Sequence, residues 1–188
     1  MKAWYFTMTA LIGALASFAC SDPGEFAVFD TSQAGALPDC MADEFPFEGS
    51  LLAARVRNER VGIFLQTTPD VTSKYDVVYF EIFEPENVTV GEPIELGGPA
   101  HPPPPARGKI AFFSSCAYEH HSLELGGSIV FDAFEYEAPG VISGHLVDGQ
   151  IIDDRADEVL VDDLSGEWHF AVRRGPPYED FYALPERP

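Results

Sequence analysis

Three apolar runs near the end of the chain give its clearest hydrophobic pattern. They lie between clusters of Gly, Pro and Asp, at residues 128–136, 140–147 and 166–172. Each run alternates apolar and polar positions, as half-buried antiparallel strands do. In the last run Trp168, Phe170 and Val172 share one face, because successive side chains of a strand leave on opposite sides. The opposite face carries Glu167, His169 and Arg173. We therefore expect this strand to close the core.

Earlier runs bring the predicted total to seven to nine strands. Residues 51–56 and 61–66 predict a hairpin that turns at Asn58 and Glu59. Further strands are predicted at residues 76–83, 88–96 and 109–118, and at 159–161, where a short helical turn is the alternative. Because no long helix is indicated, the pattern predicts an all-β, antiparallel β-sandwich of jelly-roll or immunoglobulin-like type.

The first residues predict a secretory signal peptide. Lys2 supplies the positive charge, and residues 3–19 form an uncharged apolar run that ends in small residues. The run is short for a membrane-spanning helix, which needs about 20 apolar residues. A buried N-terminal helix or a membrane anchor is the alternative.

Composition divides the remainder into three parts. Residues 20–44 mix Ser, Asp, Gly, Pro and Ala and predict a tether or N-terminal arm. Residues 45–175 hold the predicted β-sandwich domain. Residues 176–188 form a Pro-rich tail that we expect to pack along the domain without joining the sheet.

The end of the signal peptide, LASFAC at residues 15–20, resembles the lipobox of bacterial lipoproteins, in which the Cys carries the lipid. The family has Leu three residues before that Cys and a small residue two before it, where this chain has Ser17 and Phe18. The resemblance implies lipidation of Cys20 and a place at the bacterial cell envelope, facing the periplasm or the exterior. The same residues fit ordinary signal cleavage, which would release a secreted, soluble protein.

Cysteine parity favours the lipid-anchored alternative. If Cys20 carries a lipid, Cys40 and Cys116 remain as a pair that can form one disulfide in an oxidising compartment. If it does not, a secreted protein is left with an odd thiol. We expect the anchor and the Cys40–Cys116 bridge, with two separate reduced cysteines as the alternative.

Short segments in the second half of the chain carry a further resemblance. They are GEPIELGG at 91–98, GSIVF at 127–131, VISGHL at 141–146 and LSGEWHF at 164–170. With the signal that ends in Cys, they resemble a loose group of bacterial β-sandwich lipoproteins of unknown function. The group has Thr and Phe where this chain has His145 and Leu146. The resemblance implies a fold and a location, and it brings no catalytic residues.

The formal charge of −20 at pH 7 narrows the range of partners. Such a charge repels phosphate backbones and anionic headgroups, so we expect neither nucleic-acid binding nor electrostatic docking on a membrane. The predicted contact with the membrane is the N-terminal lipid alone. A protein or glycan partner is left open.

Candidate metal ligands fit known sites poorly. Asp153, Asp154 and Asp157 are weak Ca²⁺ candidates, because Arg155 stands between them and the turn-making Gly of an EF-hand loop is missing. The remaining candidates are histidines, at His101, His120, His121, His145 and His169. No His-x-His or His-x₃-His spacing occurs among them, and the adjacent His120 and His121 would point opposite ways in a strand. We expect no metal and no cofactor.

Catalytic signals are equally weak. Ser114, Ser115 and Ser143 lie outside any Gly-x-Ser-x-Gly elbow. We therefore expect a non-enzymatic structural, binding or adhesion module of the cell envelope. The alternative is a secreted domain that binds or hydrolyses a carbohydrate or small molecule through exposed aromatics, with Tyr118, Tyr136 and Tyr178 as candidates.

Overall fold

A computed structural model of the 188-residue chain describes residues 24–69, 76–97, 104–113, 122–175 and 178. The described residues form ten strands: β1 (Phe26–Asp30), β2 (Phe47–Glu48), β3 (Leu51–Arg57), β4 (Arg60–Gln66), β5 (Asp76–Ile82), β6 (Pro93–Glu95), β7 (Ala106–Phe112), β8 (Ser122–Phe134), β9 (Gly140–Asp153) and β10 (Glu158–Val172). Helical structure among them is limited to the one-turn α1 (Asp39–Ala42) and 3₁₀ turns at Ala34–Ala36 and Pro85–Asn87.

All ten strands belong to one sheet, in the order β2-β1-β10-β9-β8-β7-β5-β4-β3, with β6 pairing with β8 beside β7. Every pair of neighbouring strands is antiparallel. The all-β, antiparallel prediction is therefore confirmed. The hydrogen bonding runs through one continuous sheet and does not divide into the two sheets of a sandwich.

The sheet curls on itself into an open half-barrel. Its two edges approach each other where β2 leads into β3: the Gly49 N–H donates to the Ala27 carbonyl of β1 at 2.8 Å, and the Ser50 N–H donates to the Gln66 carbonyl of β4 at 2.7 Å. Strands that lie far apart in the sheet order consequently face each other across the core.

The core fills the concave side of this sheet. Trp168 of β10 is 1% exposed, and its ring lies 5.0 Å from that of Phe80 of β5, four places away in the sheet. The same indole stacks on Phe29 of β1 at 6.0 Å and meets Phe131 of β8 edge-on at 6.3 Å. One aromatic cluster thus connects β1, β10 and β8 with β5 across the core.

The three longest strands bend at bulges. In the β8–β9 pair the register shifts between Gly126 and Ser128, where Gly127 has a φ of +90°. A Cβ on Gly127 would lie 2.3 Å from the Asp148 carbonyl oxygen, so only glycine fits. On either side of this bulge β8 pairs first with β7 and then with β6.

Several details of the strand prediction are confirmed. The 51–66 hairpin turns at Asn58 and Glu59, which both have positive φ, as a two-residue I′ turn requires. Trp168, Phe170 and Val172 are buried as predicted. The strand at 159–161 exists, but it is continuous with the one at 166–172, and the strand at 88–96 shrinks to Pro93–Glu95.

The prediction of a tether over residues 20–44 is wrong for the described part of that range. β1 pairs with β10 along its whole length, and Phe29 and Met41 are fully buried. β1 alternates exposed and buried positions as strands do, but its five residues lie between Gly- and Ser-rich segments. A run that short gives little periodicity to detect.

A second, smaller cluster covers part of the convex side of the sheet. Leu51, Ala53 and Phe64 are buried there, with Tyr79 and Tyr178 packed against them. Tyr178, the one described residue beyond position 175, thus contacts this outer cluster.

Candidate functional site

A shallow depression of about 300 Å³ lies on the convex side of β1, β10, β9 and β8. It is lined by Phe26, Asp132, Ser143, Gly144, His145, Glu167, Trp168 and His169. We call it the outer depression. The polar side chains on β9 and β10 leave the sheet away from the core, because each lies between two buried residues on its strand.

Strand register brings these side chains into two rows. In the first row His169 lies between Phe26 of β1 and Ser143 of β9. In the second row Glu167 lies opposite His145. Directly opposite residues of an antiparallel pair have Cβ atoms about 5 Å apart, so each row forms a contiguous surface.

Asp132 lies within ion-pair distance of His145. The His145 Nδ1 lies 3.4 Å from Asp132 Oδ2, and the two side chains are 40% and 61% exposed. The carboxylate directs the other ring nitrogen, Nε2, away from β8. The contact becomes an ion pair when the imidazole is protonated.

Phe26 supplies the apolar part of the outer depression. It is 43% exposed, and its ring is stacked on His169 with centroids 6.3 Å apart and planes 21° apart. Phe26 is among the few large apolar side chains that the structure leaves exposed, and its neighbour on the same face of β1, Val28, is 38% exposed.

The floor of the outer depression is backbone. Gly144 lies opposite Trp168, and a Cβ on Gly144 would lie 2.5 Å from the Val130 carbonyl oxygen and 3.0 Å from the Trp168 ring. This close approach lets the indole pack directly beneath the floor. A rigid aromatic core therefore supports the polar surface.

The side chains of the outer depression offer groups that can bind a ligand. Among the described residues, no hydrogen bond joins Ser143 to either histidine of the depression. The same part of the chain holds no group of three or more His, Cys, Asp or Glu side chains placed to bind a metal ion. What remains is a surface of carboxylates, imidazoles and a hydroxyl beside one phenyl ring.

Three groups elsewhere have perturbed pKa values. Burial raises the pKa of Tyr79 to about 12. Burial, followed by the nearby carboxylate of Asp76, raises the pKa of Glu44. Hydrogen bonds from the Ser32 and Thr31 hydroxyls lower the pKa of Asp163. None of these groups lines the outer depression.

Many residues that we considered as candidates lie outside the described part of the chain: Cys20, His101, Ser114, Ser115, Cys116, Tyr118, His120 and His121. Cys40 is disulfide-bonded, and its pairing with Cys116 stays a prediction. Asp153, Asp154 and Asp157 lie at the β9–β10 turn, where Asp153 Oδ1 accepts a hydrogen bond from the Arg155 N–H.

The two described aromatic candidates, Tyr136 and Tyr178, do not line the outer depression. Tyr136 packs against the main core beside Phe134, and Tyr178 packs on the outer cluster. The aromatic ring of the outer depression is Phe26, which lies in the range that we predicted to be a tether. Its signal was its outward position in the short alternating run of β1.

No helix among the described residues is both long enough and apolar enough to span a membrane. Comparison of the chain with family models, with curated proteins and with solved structures finds no match. Inference about function therefore rests on the residues of the outer depression.

Proposed function

We propose that this protein is a non-enzymatic binding module of the bacterial cell envelope that takes a polyhydroxylated ligand, such as a glycan, in the outer depression. The observation that carries the proposal is the row in which the exposed Phe26 ring, the His169 imidazole and the Ser143 hydroxyl lie side by side on three strands.

The chemistry of the outer depression favours hydroxyl-rich ligands. The C–H face of a sugar ring packs on an aromatic ring, and sugar hydroxyls both donate and accept hydrogen bonds. Asp132 and Glu167 accept such bonds, while the imidazoles and the Ser143 hydroxyl can donate them. The two carboxylates and the formal charge of −20 disfavour an anionic ligand.

The shape favours a ligand that lies on the sheet over one that is enclosed. About 300 Å³ is the lower end of the range for small-molecule sites. The backbone floor at Gly144 and Trp168 is supported by the core, so little ordering should accompany binding.

A glycan-binding assay tests the ligand class. Neutral and amino-sugar oligosaccharides are immobilised and probed with the wild-type domain, Phe26→Ala and Val28→Ala. Val28 is the matched control, because it is similarly exposed on the same face of β1 but does not line the outer depression. We expect Phe26→Ala to weaken binding about tenfold, equivalent to about 1.4 kcal/mol, and Val28→Ala to leave it within about twofold. Equal effects of the two variants, or no glycan bound by the wild type, would contradict the proposal.

The proposed location rests on Cys20. We propose that Cys20 carries the lipid that holds the domain at the envelope, and that Cys40 pairs with Cys116. The test is the intact mass of the protein from membrane and soluble fractions, before and after reduction and alkylation. We expect a membrane species that begins at Cys20 with added acyl mass and releases two thiols only on reduction. A soluble species without acyl mass would refute the anchor.

A further inference from the structure

Positive charge is concentrated on the convex side of β3, β4, β5 and β7, which we call the basic face. Five of the eleven Lys and Arg residues of this acidic chain lie on it: Arg55, Arg57, Arg60, Arg107 and Lys109. Arg55 and Arg57 have further interactions of their own. Arg60 and Arg107 are the cations on which the inference depends.

Both guanidinium groups contact one aromatic ring. The Cζ atoms of Arg60 and Arg107 lie 4.8 Å and 5.4 Å from the centroid of Phe83, the residue that follows β5. Cation–π attraction holds each guanidinium at the ring. Both like-charged groups therefore lie at the same ring, and an anion bound beside them would offset their repulsion.

A carboxylate beside both arginines pairs with Arg60. Glu81 lies opposite Arg107 in the β5–β7 register, but its Oε1 accepts from the Arg60 guanidinium at 3.1 Å. Arg107 forms no ion pair with the described residues, and its Nε is buried without a hydrogen-bond partner. Because buried polar groups are nearly always hydrogen-bonded, this unpaired donor indicates that an acceptor could bind here. Lys109, the next cation along β7, already lies 3.8 Å from Glu124.

We infer that Arg107, with Arg60 at the same Phe83 ring, forms a binding site for an oxyanion, meaning a carboxylate, sulfate or phosphate group. The guanidinium fork donates two parallel hydrogen bonds to such a group, which a lone point charge cannot do. The site lies on a different part of the convex side from the outer depression. It therefore stands whether or not the proposed glycan site does.

The arginine side-chain Nε–Hε resonances give a direct test. Protein labelled with ¹⁵N-arginine is titrated with sodium phosphate and, separately, sodium acetate. Sodium chloride keeps the ionic strength at about 0.1 M, where the Debye length of about 10 Å screens the repulsion by the distant acidic residues. We expect saturable shifts at Arg107 and Arg60 with phosphate. Saturation with acetate as well would extend the site to carboxylates, and saturation with phosphate alone would restrict it to dianions.

Variants separate a specific site from general ion binding. Arg107→Gln should weaken phosphate binding at least about tenfold, since it removes a charge-assisted fork. Arg155→Gln is the matched control, because Arg155 is exposed in the β9–β10 turn, away from the basic face. If Arg107→Gln fails to fold, the more exposed Arg60→Gln replaces it and should also weaken binding. Shifts that stay linear in phosphate concentration, or that are equal at Arg155, would overturn the inference.

Discussion

The outer depression and the basic face lie on the convex side of the same sheet, but they differ in the exposure of their aromatic rings and in the sign of the charges beside those rings. On the first, Phe26 is 43% exposed beside carboxylates and imidazoles. On the second, Phe83 lies under two guanidinium groups, and Phe64 packs 4.8 Å from the Tyr79 ring in a buried cluster. One face presents its ring to solvent, and the other uses its rings to hold cations or to pack.

The difference shows how one sheet can support two kinds of binding. In both regions, outward-facing residues alternate along the strands with residues of the same core. The packing of that core therefore holds the backbone of both regions in place. Ligand preference then depends only on the side chains that point outward. Substitutions can test whether the same core residues stabilise both regions, and how the ionisable side chains of the two regions differ.

The largest effect is expected where the two faces share their core. Trp168 lies beneath the outer depression, and its ring contacts Phe80, the neighbour of Tyr79 and Glu81 on β5. We expect Trp168→Ala to lower the free energy of unfolding by about 3–5 kcal/mol, because it removes a buried aromatic side chain and leaves a cavity. Urea unfolding followed by far-UV circular dichroism measures this loss. Phe26→Ala serves as the exposed control and should change stability by no more than about 1 kcal/mol. A loss below about 1 kcal/mol for Trp168→Ala would mean that the two faces are supported separately.

An ion pair makes a second connection between the two regions. Both Glu25 carboxylate oxygens lie 3.0 Å from Nη2 of Arg173, and Nη1 of Arg173 donates to the Tyr178 hydroxyl at 3.1 Å. Glu25 also accepts from the Ala171 N–H at 3.0 Å. The contacts thus link the start of β1 and the end of β10 to the outer cluster beside the basic face.

Glu25→Gln should cost about 1–2 kcal/mol of unfolding free energy, since the amide keeps an acceptor for Ala171 but loses the charge-assisted pair. Chemical denaturation measures the change. The exposed Glu48→Gln on β2 is the control and should stay within about 0.5 kcal/mol. If the two variants behave alike, the Glu25–Arg173 pair contributes nothing to joining the regions.

Local patterns predicted the strands well because each depends on near neighbours. The alternation around Trp168 identified its buried face, and the turn at Asn58 and Glu59 follows from two adjacent residues between alternating runs. The single curled sheet depends instead on contacts at long range. β1 pairs with β10 across more than 130 residues, and the edges meet at Gly49 and Ser50. No local period encodes such pairings.

The same reason explains what was missed at the candidate sites. The sequence shows that His169 points outward, but only strand register reveals that Phe26 and Ser143 flank it. Arg60 and Arg107 are 47 positions apart and meet at Phe83 through β5, which separates their strands in the sheet. The sequence shows which residue types are present, but it does not show which of them become neighbours in the folded sheet.

Tyr79 tests how strongly the basic face buries its aromatic side chains. Its pKa is raised to about 12, first by burial and then by Glu81, while Arg55 and Arg60 oppose the shift. An ultraviolet titration should show one tyrosine that ionises near pH 12 and is lost in Tyr79→Phe. Because the folded pKa lies above the unfolded value of about 10, this group's contribution to stability is complete below pH 10 and is lost as the pH rises towards 12. Tyr136→Phe is the control, and it should remove a tyrosine without removing the late step. A late step that survives in Tyr79→Phe would contradict the burial argument.

The smallest effect is expected at Asp163, on the strand that carries Glu167 and His169. Hydroxyl hydrogen bonds from Ser32 and Thr31 lower its pKa, although the carboxylate is exposed. A lowered carboxyl pKa contributes stability that is present above the unfolded value of about 3.9 and is lost as the pH falls through the folded value. Asp163→Asn should therefore reduce stability slightly at neutral pH and remove part of the acid-induced loss. Thermal unfolding at neutral pH and at about pH 3 measures both changes, with the exposed Asp154→Asn as the control. If Asp163→Asn leaves the acid-induced loss unchanged, the hydrogen bonds from Thr31 and Ser32 to Asp163 contribute nothing to the pH dependence of stability.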